Sequence, residues 1–134
     1  MKKILLLILL STFITALHAQ EIKNGSYQTR YTVNSDGTIR NSSSQTVGYI
    51  KDGRVTNSSY QTIGYVKDDG RILNASYSTV GYVKEDGRVT NSSYSTIGYV
   101  KKDGRVTNSS YSTIGYASGI KKEWAALIFF FFQF

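Results

Sequence analysis

The chain has 134 residues, a formal net charge of +7, one histidine and neither cysteine nor proline. The lack of cysteine excludes disulfides and thiol nucleophiles. Packing and hydrogen bonds must therefore hold the fold, and the length suffices for one domain.

Residues 1–19 have the pattern of a secretory signal peptide. Lys2 and Lys3 precede an apolar stretch over residues 4–17, and Ala19 ends an acceptable cleavage site. The apolar stretch is shorter than the roughly 20 residues that a membrane-spanning helix needs. We predict an exported bacterial protein that is periplasmic, bound at the outer membrane surface or secreted. Removal of the leader lowers the formal charge from +7 to +5.

A repeat marked by Asp-Gly fills most of the remaining chain, and such periodicity determines the architecture. One copy begins at Asp52 and reads Asp-Gly-Arg-Val-Thr-Asn-Ser-Ser-Tyr-Gln-Thr-Ile-Gly-Tyr-Val-Lys. Asp-Gly between β-prone runs is a strong hairpin signal, because glycine accepts a positive φ without steric cost. We predict a hairpin tip at each of Asp36, Asp52, Asp69, Asp86 and Asp103.

The tip lengths predict the pairing within each hairpin. Most tips have three residues between the Lys-like and Arg-like positions, but the tip at Asp52 has two. Both lengths place lysine opposite arginine, so Lys51 should face Arg54 and Lys67 should face Arg71. The short tip therefore preserves the register, and a one-residue slip would have turned every side chain to the other face.

The repetition predicts how the hairpins assemble. Similar hairpins become stable by packing side by side, and an open sheet leaves edges that invite aggregation. A closed ring removes those edges. We predict an all-β fold over residues 20–119, with five β-hairpins arranged as a closed five-fold ring or bowl. An open β-meander or solenoid is the alternative.

Residues 120–134 break the repeat and are almost wholly apolar from Trp124 onward. Exposed to water, this segment would be an aggregation hazard. We predict that it packs on the same domain as a plug or lid. Burial in a partner or oligomer is a second possibility, and membrane contact is a third. The third is disfavoured, because the segment is too short for a spanning helix and lacks the alternation of barrel strands.

The repeat and its ending resemble a known family. A Lys-Lys-Glu-Trp-Ala-Ala stretch and a run of phenylalanine follow the repeats, and the whole is similar to the 5-fold β-flower family of small exported bacterial proteins. The resemblance covers about residues 24–134. It implies five hairpin petals around an axis and brings no established activity and no catalytic or ligand residues. Ser44 and Arg30 depart from the repeat, so the first petal should be looser.

The residues that remain after the leader is removed do not predict catalysis. They include no histidine to activate a serine and no cysteine. The adjacent carboxylates at Asp68 and Asp69 fall short of the six to eight oxygens of a calcium site. We predict no enzyme, no catalytic or metal-binding residue, no cofactor and no nucleic-acid partner.

Recurring aromatic and basic residues are the candidate ligand-binding groups. Aromatic faces stack on sugar rings, and a basic rim attracts anionic polysaccharide or lipid headgroups. The first tyrosine set is Tyr49, Tyr65, Tyr82, Tyr99 and Tyr116. The second is Tyr60, Tyr77, Tyr94 and Tyr111. The arginines are Arg40, Arg54, Arg71, Arg88 and Arg105. Alternatively, both tyrosine sets pack between petals and the basic rim keeps the hairpin tips apart.

Two functional hypotheses follow. The first is a non-enzymatic binding module for cell-envelope glycan or an envelope protein. The second is a structural or assembly protein whose Phe-rich tail docks on a partner subunit or the outer membrane. Either a monomer or a homo-oligomer is compatible with the sequence.

Overall fold

The computed structural model describes residues 19–134, in which twelve antiparallel strands form a closed barrel. The predicted all-β class and the closure are confirmed, and the predicted signal peptide lies almost wholly outside the described residues. The strands are β1 (Gln20–Asn24), β2 (Thr29–Val33), β3 (Thr38–Asn41), β4 (Thr46–Lys51), β5 (Arg54–Asn57), β6 (Thr62–Val66), β7 (Arg71–Asn74), β8 (Thr79–Val83), β9 (Arg88–Asn91), β10 (Thr96–Val100), β11 (Arg105–Asn108) and β12 (Thr113–Tyr116).

The five Asp-Gly hairpins form in the predicted register. Lys51 pairs with Arg54 across the two-residue tip, and Lys67 donates its backbone N–H to the Arg71 carbonyl at 2.9 Å. Gly70 has φ of +89°, as its turn requires. Its carbonyl accepts the N–H of Val83 at 2.8 Å, so each tip is bonded to the next hairpin.

The two ends of the chain close the barrel. Strands β12 and β1 pair with Gly115 opposite Asn24, as Gly98 lies opposite Asn108 within a hairpin. Five continuous hairpins and this terminal pair together account for the twelve strands. The strand count therefore does not by itself confirm a five-fold ring.

The barrel interior holds one aliphatic cluster. Each of β1 to β11 places a valine or isoleucine in this cluster or against it, and Ala117 follows β12. An eight-stranded barrel is filled by its own side chains, and a wider barrel leaves a lumen. Ala125, Ala126 and Leu127, which follow the repeats, are fully buried and belong to the same cluster as the strand side chains.

The C-terminal segment is helical. An α-helix, α1 (Lys122–Ala126), continues into a π-helical turn (Leu127–Phe131), and the N–H of Phe132 donates to the Leu127 carbonyl at 2.9 Å. No helix among residues 19–134 is long and apolar enough to cross a membrane.

Each phenylalanine ring of the segment's end lies against a different glycine. The five glycines occupy the same position of successive repeats, and a methyl group on any of them would overlap the facing ring. The contacts are Gly115 with Phe129, Gly98 with Phe130, Gly81 with Phe131, Gly64 with Phe132, and Gly48 with Phe134. The repeat glycine is therefore required by ring packing as well as by strand geometry.

The first repeat differs at this glycine position. Tyr31 occupies it, pairing with Asn41 as Gly48 pairs with Asn57. The Tyr31 hydroxyl donates to the carbonyl of Phe134 at 3.2 Å. The repeat that lacks the glycine thus supplies its own aromatic ring and contacts the end of the tail.

Candidate binding surface

Asparagine side chains shape the turns that join successive hairpins. The Oδ1 atom of Asn57 accepts the N–H of Ser59 at 2.9 Å and of Gln61 at 3.0 Å. The N–H of Tyr60 donates to the Asn57 carbonyl at 3.0 Å. The same arrangement recurs at Asn24, Asn41, Asn74, Asn91 and Asn108.

The fourth residue of each of these turns has a left-handed backbone. It is tyrosine in five repeats and serine in one, with φ between 63° and 66°. The residues are Tyr27, Ser44, Tyr60, Tyr77, Tyr94 and Tyr111. A residue with a Cβ atom pays about 1–2 kcal/mol for this conformation. Glycine or asparagine would form the turn at lower cost, so tyrosine is retained here for its side chain.

These turn tyrosines are exposed and stack on the first tyrosine set. Their side chains are 60–66 % exposed, whereas Tyr49 and its equivalents are half-buried. Ring centroids are 4.4–4.8 Å apart and the planes differ by 10–15° in four pairs. The pairs are Tyr49–Tyr60, Tyr65–Tyr77, Tyr82–Tyr94 and Tyr99–Tyr111. A fifth pair, Tyr27–Tyr116, is edge-on, with centroids 5.0 Å apart and an interplanar angle of 74°.

The pairs are joined through their hydroxyls. The two oxygens are 3.2 Å apart in Tyr49–Tyr60, 3.1 Å in Tyr82–Tyr94 and 3.0 Å in Tyr99–Tyr111. This hydrogen bond to the partner hydroxyl, followed by desolvation and the partner's charge, raises the pKa of the first-set tyrosines above 10. The turn tyrosine donates this bond in Tyr49–Tyr60 and in Tyr82–Tyr94.

The predicted arginines lie beside the predicted tyrosines. Four of the five are cross-strand neighbours of first-set tyrosines, and Arg88 also donates to Thr96 Oγ1 at 3.2 Å. The neighbours are Arg54 with Tyr65, Arg71 with Tyr82, Arg88 with Tyr99, and Arg105 with Tyr116. The inclusion of Arg40 in this set was wrong. Thr38 pairs with Tyr49 at the corresponding place, and Arg40 occupies the position of Thr56.

Lysines add positive charge to the same surface. The Lys84 Nζ atom lies 5.2 Å from the ring centroid of Tyr82 and 5.4 Å from that of Tyr94. Lys101 bears the same relation to the next pair, at 5.1 and 5.4 Å. Cations at this distance are attracted to the aromatic face, so the lysines line the pairs.

One pair borders a groove of about 430 Å³ on the outer surface. A volume of this size is within the range of small-ligand sites. Aromatic, basic, acidic and hydroxyl groups all reach the groove. The lining residues are Asp36, Thr38, Tyr49, Lys51, Arg54, Thr56 and Tyr60.

The two tyrosines of a pair are present together or absent together in the sequence. At the hairpin of β2 and β3 and the turn after it, Thr32 takes the place of a first-set tyrosine and Ser44 that of its turn partner. Both members of this pair are therefore absent together. Sequence reasoning noticed Ser44 but missed Thr32, because the two tyrosine sets were treated as independent rings. The constant spacing of eleven or twelve residues between partners was the signal that the two sets share one surface.

Among residues 19–134, no three His, Cys, Asp or Glu side chains are grouped to hold a metal ion. The family model described as 5-fold beta-flower protein matches residues 19–133, which confirms the resemblance drawn from the repeat and the tail. No curated protein and no solved structure matches the chain.

Proposed function

The chain belongs to the 5-fold beta-flower protein family, a family of unknown function. We propose that this protein is an exported, non-enzymatic binding module for cell-envelope glycan. The ligand lies on the outer surface of the barrel, across the tyrosine pairs. The arginines and lysines beside them select for negative charge.

The observation that carries this proposal is the left-handed, exposed tyrosine in five repeats. Strained backbone conformations concentrate at functional sites, where the surrounding structure maintains them. A sugar ring presents C–H groups that pack on an aromatic face, and nearby hydroxyl and guanidinium groups can bond its polar edge. The surface around Tyr60 and Arg54 offers both.

Repetition around a closed barrel favours a polymeric ligand. Several similar weak sites on one molecule bind a repeating polymer with much higher avidity than any site alone. The formal charge of +5 for residues 20–134 favours association with anionic polymers at low salt. A polysaccharide with acidic groups meets both conditions.

The proposal is tested by co-sedimentation with purified peptidoglycan sacculi and with an insoluble anionic polysaccharide. A variant carrying Tyr60→Ser, Tyr77→Ser, Tyr94→Ser and Tyr111→Ser should bind at least about tenfold more weakly, because multivalent binding loses four of its five exposed turn tyrosines. Serine is chosen because Ser44 already occupies this turn position. Ser44→Ala is the matched control and should bind normally. Absence of saturable binding, or equal binding by the fourfold variant, would refute the proposal.

We further propose that the C-terminal segment is a plug, and that the five-fold character of the family lies in the five glycine–phenylalanine contacts and the five tyrosine pairs. The alternative, an assembly protein whose Phe-rich tail docks on a partner subunit or the outer membrane, has less support. Each phenylalanine ring already lies against a glycine of its own chain.

A further inference from the structure

We infer that the four stacked tyrosine pairs are sites of intramolecular oxidative cross-linking to dityrosine. The pairs are Tyr49–Tyr60, Tyr65–Tyr77, Tyr82–Tyr94 and Tyr99–Tyr111. This inference does not depend on glycan binding.

The ring geometry suits carbon–carbon coupling. The planes are within 15° of parallel and the centroids within 4.8 Å. In the three pairs whose hydroxyls are bonded, the oxygens are 3.0–3.2 Å apart. The hydroxyl-bearing ends of the two rings therefore overlap, and the ortho carbons of one ring lie close to those of the other.

The reaction is balanced with a peroxide as oxidant. A haem peroxidase using hydrogen peroxide removes one electron and one proton from each phenol, giving two phenoxyl radicals. The radicals join through their ortho carbons, and each of these carbons then loses its hydrogen as a proton while the two phenoxyl oxygens regain protons. Two hydrogen atoms are lost per link, and one hydrogen peroxide becomes two water molecules.

Exposure and chain separation favour this outcome over coupling between molecules. The turn tyrosine of each pair is 60–66 % exposed, so an oxidant can reach it. Its partner is already stacked on it, only eleven or twelve residues away in the chain. Two radicals formed within one pair therefore couple with each other before either meets another molecule.

The pair Tyr27–Tyr116 serves as an internal comparison. Its rings meet edge-on at 74°, and the Lys23 Nζ atom lies 3.9 Å from the Tyr27 ring centroid. The lysine covers one face of the Tyr27 ring. In the edge-on orientation the ortho carbons of the two rings do not lie over each other. We expect this pair to cross-link less than the four stacked pairs.

The test is treatment of the dilute purified protein with hydrogen peroxide and a haem peroxidase. Intact mass should show successive losses of two hydrogens with the protein still monomeric, together with dityrosine fluorescence. Proteolysis and mass spectrometry should place the links at the four stacked pairs. Tyr60→Phe should remove the link at Tyr49 alone, and Tyr27→Phe, the matched control, should leave all four links intact.

Three results would overturn the inference. The products could be mainly covalent dimers, or no link could form under these conditions. The third is that links are distributed among tyrosines in the same proportions for folded protein and for protein unfolded in urea. Loss of glycan binding in the fourfold serine variant bears on the proposed function only, so the two proposals fail separately.

Discussion

At the scale of single residues, three threonines are buried with hydroxyls that have no hydrogen-bond partner among residues 19–134. They are Thr56, Thr90 and Thr107, and Leu73 occupies the same position in another repeat. A buried polar group without a partner is destabilising. The leucine shows that the site accepts an apolar side chain of similar or larger size.

Thr90→Val should therefore stabilise the protein. The replacement keeps the shape of a fully buried side chain and removes its unpaired hydroxyl, which should raise the free energy of unfolding by about 1 kcal/mol. Urea unfolding measures the change. Thr96→Val is the control, because that hydroxyl accepts a bond from Arg88, and its loss should not stabilise. A destabilised Thr90→Val would show that the hydroxyl is satisfied.

The tyrosine pairs predict how stability depends on pH. The pKa of Tyr49, Tyr65, Tyr82 and Tyr99 is raised in the folded state. The stability that these tyrosines contribute is therefore fully present below the unfolded pKa of about 10. It is lost as the pH rises through the higher pKa of the folded state. Unfolding by urea at pH 8 and at intervals above pH 10 measures this. Substituting phenylalanine at all four should flatten the alkaline loss; an unchanged slope would contradict the assignment.

At the scale of elements, the packing of the strands and the packing of the C-terminal segment depend on each other. A side chain at the repeat glycine would occupy the volume of a phenylalanine ring. Phe129, Phe130 and Phe131 lie within the π-helical turn, and the extended Phe132 follows it. These four consecutive rings lie against the repeat glycines of four consecutive repeats.

Gly64→Ala should be strongly destabilising. Its Cβ atom would overlap the Phe132 ring and lie 2.6 Å from the Leu73 carbonyl oxygen. Overpacking of this kind costs about 1–3 kcal/mol or more. The control is Gly25→Ala, where the nearest atom would be 3.5 Å away and φ is ordinary. Thermal unfolding of both variants is the measurement, and equal melting temperatures would contradict the packing described above.

At the scale of the whole molecule, the repeat made the hairpins and their register predictable. Lys51 and Arg54 pair as expected because Asp-Gly determines the turn locally. Closure itself was predicted, but not that β1 and β12 are the strands that pair to close the barrel, because they are far apart in sequence and Gln20–Asn24 has diverged from the repeat. The stacking of the tyrosine sets was missed for a related reason, since a side chain in a left-handed turn does not follow strand alternation.

The contacts of the tail also bear on whether the barrel is stable alone. Strands in a twelve-stranded barrel enclose more space than their own side chains fill, and the repeat glycines widen it further. If the tail is the plug proposed above, its removal leaves Val55, Ile72 and their equivalents lining a lumen open to water. The hydrophobic free energy that keeps those side chains buried then depends on Leu127 and the rings that follow it.

Deletion of residues 122–134 tests this dependence. We expect the truncated chain to aggregate or to lose its cooperative unfolding transition, because about 1.5–3 kcal/mol of burial is lost for each large apolar side chain exposed. Size-exclusion chromatography and circular dichroism are the measurements. Gln133→Ala in the intact chain is the matched control, since Gln133 is exposed within the same segment, and it should behave as the unmodified protein. A soluble, monomeric truncated barrel with an unchanged urea midpoint would show that the tail serves a docking partner instead.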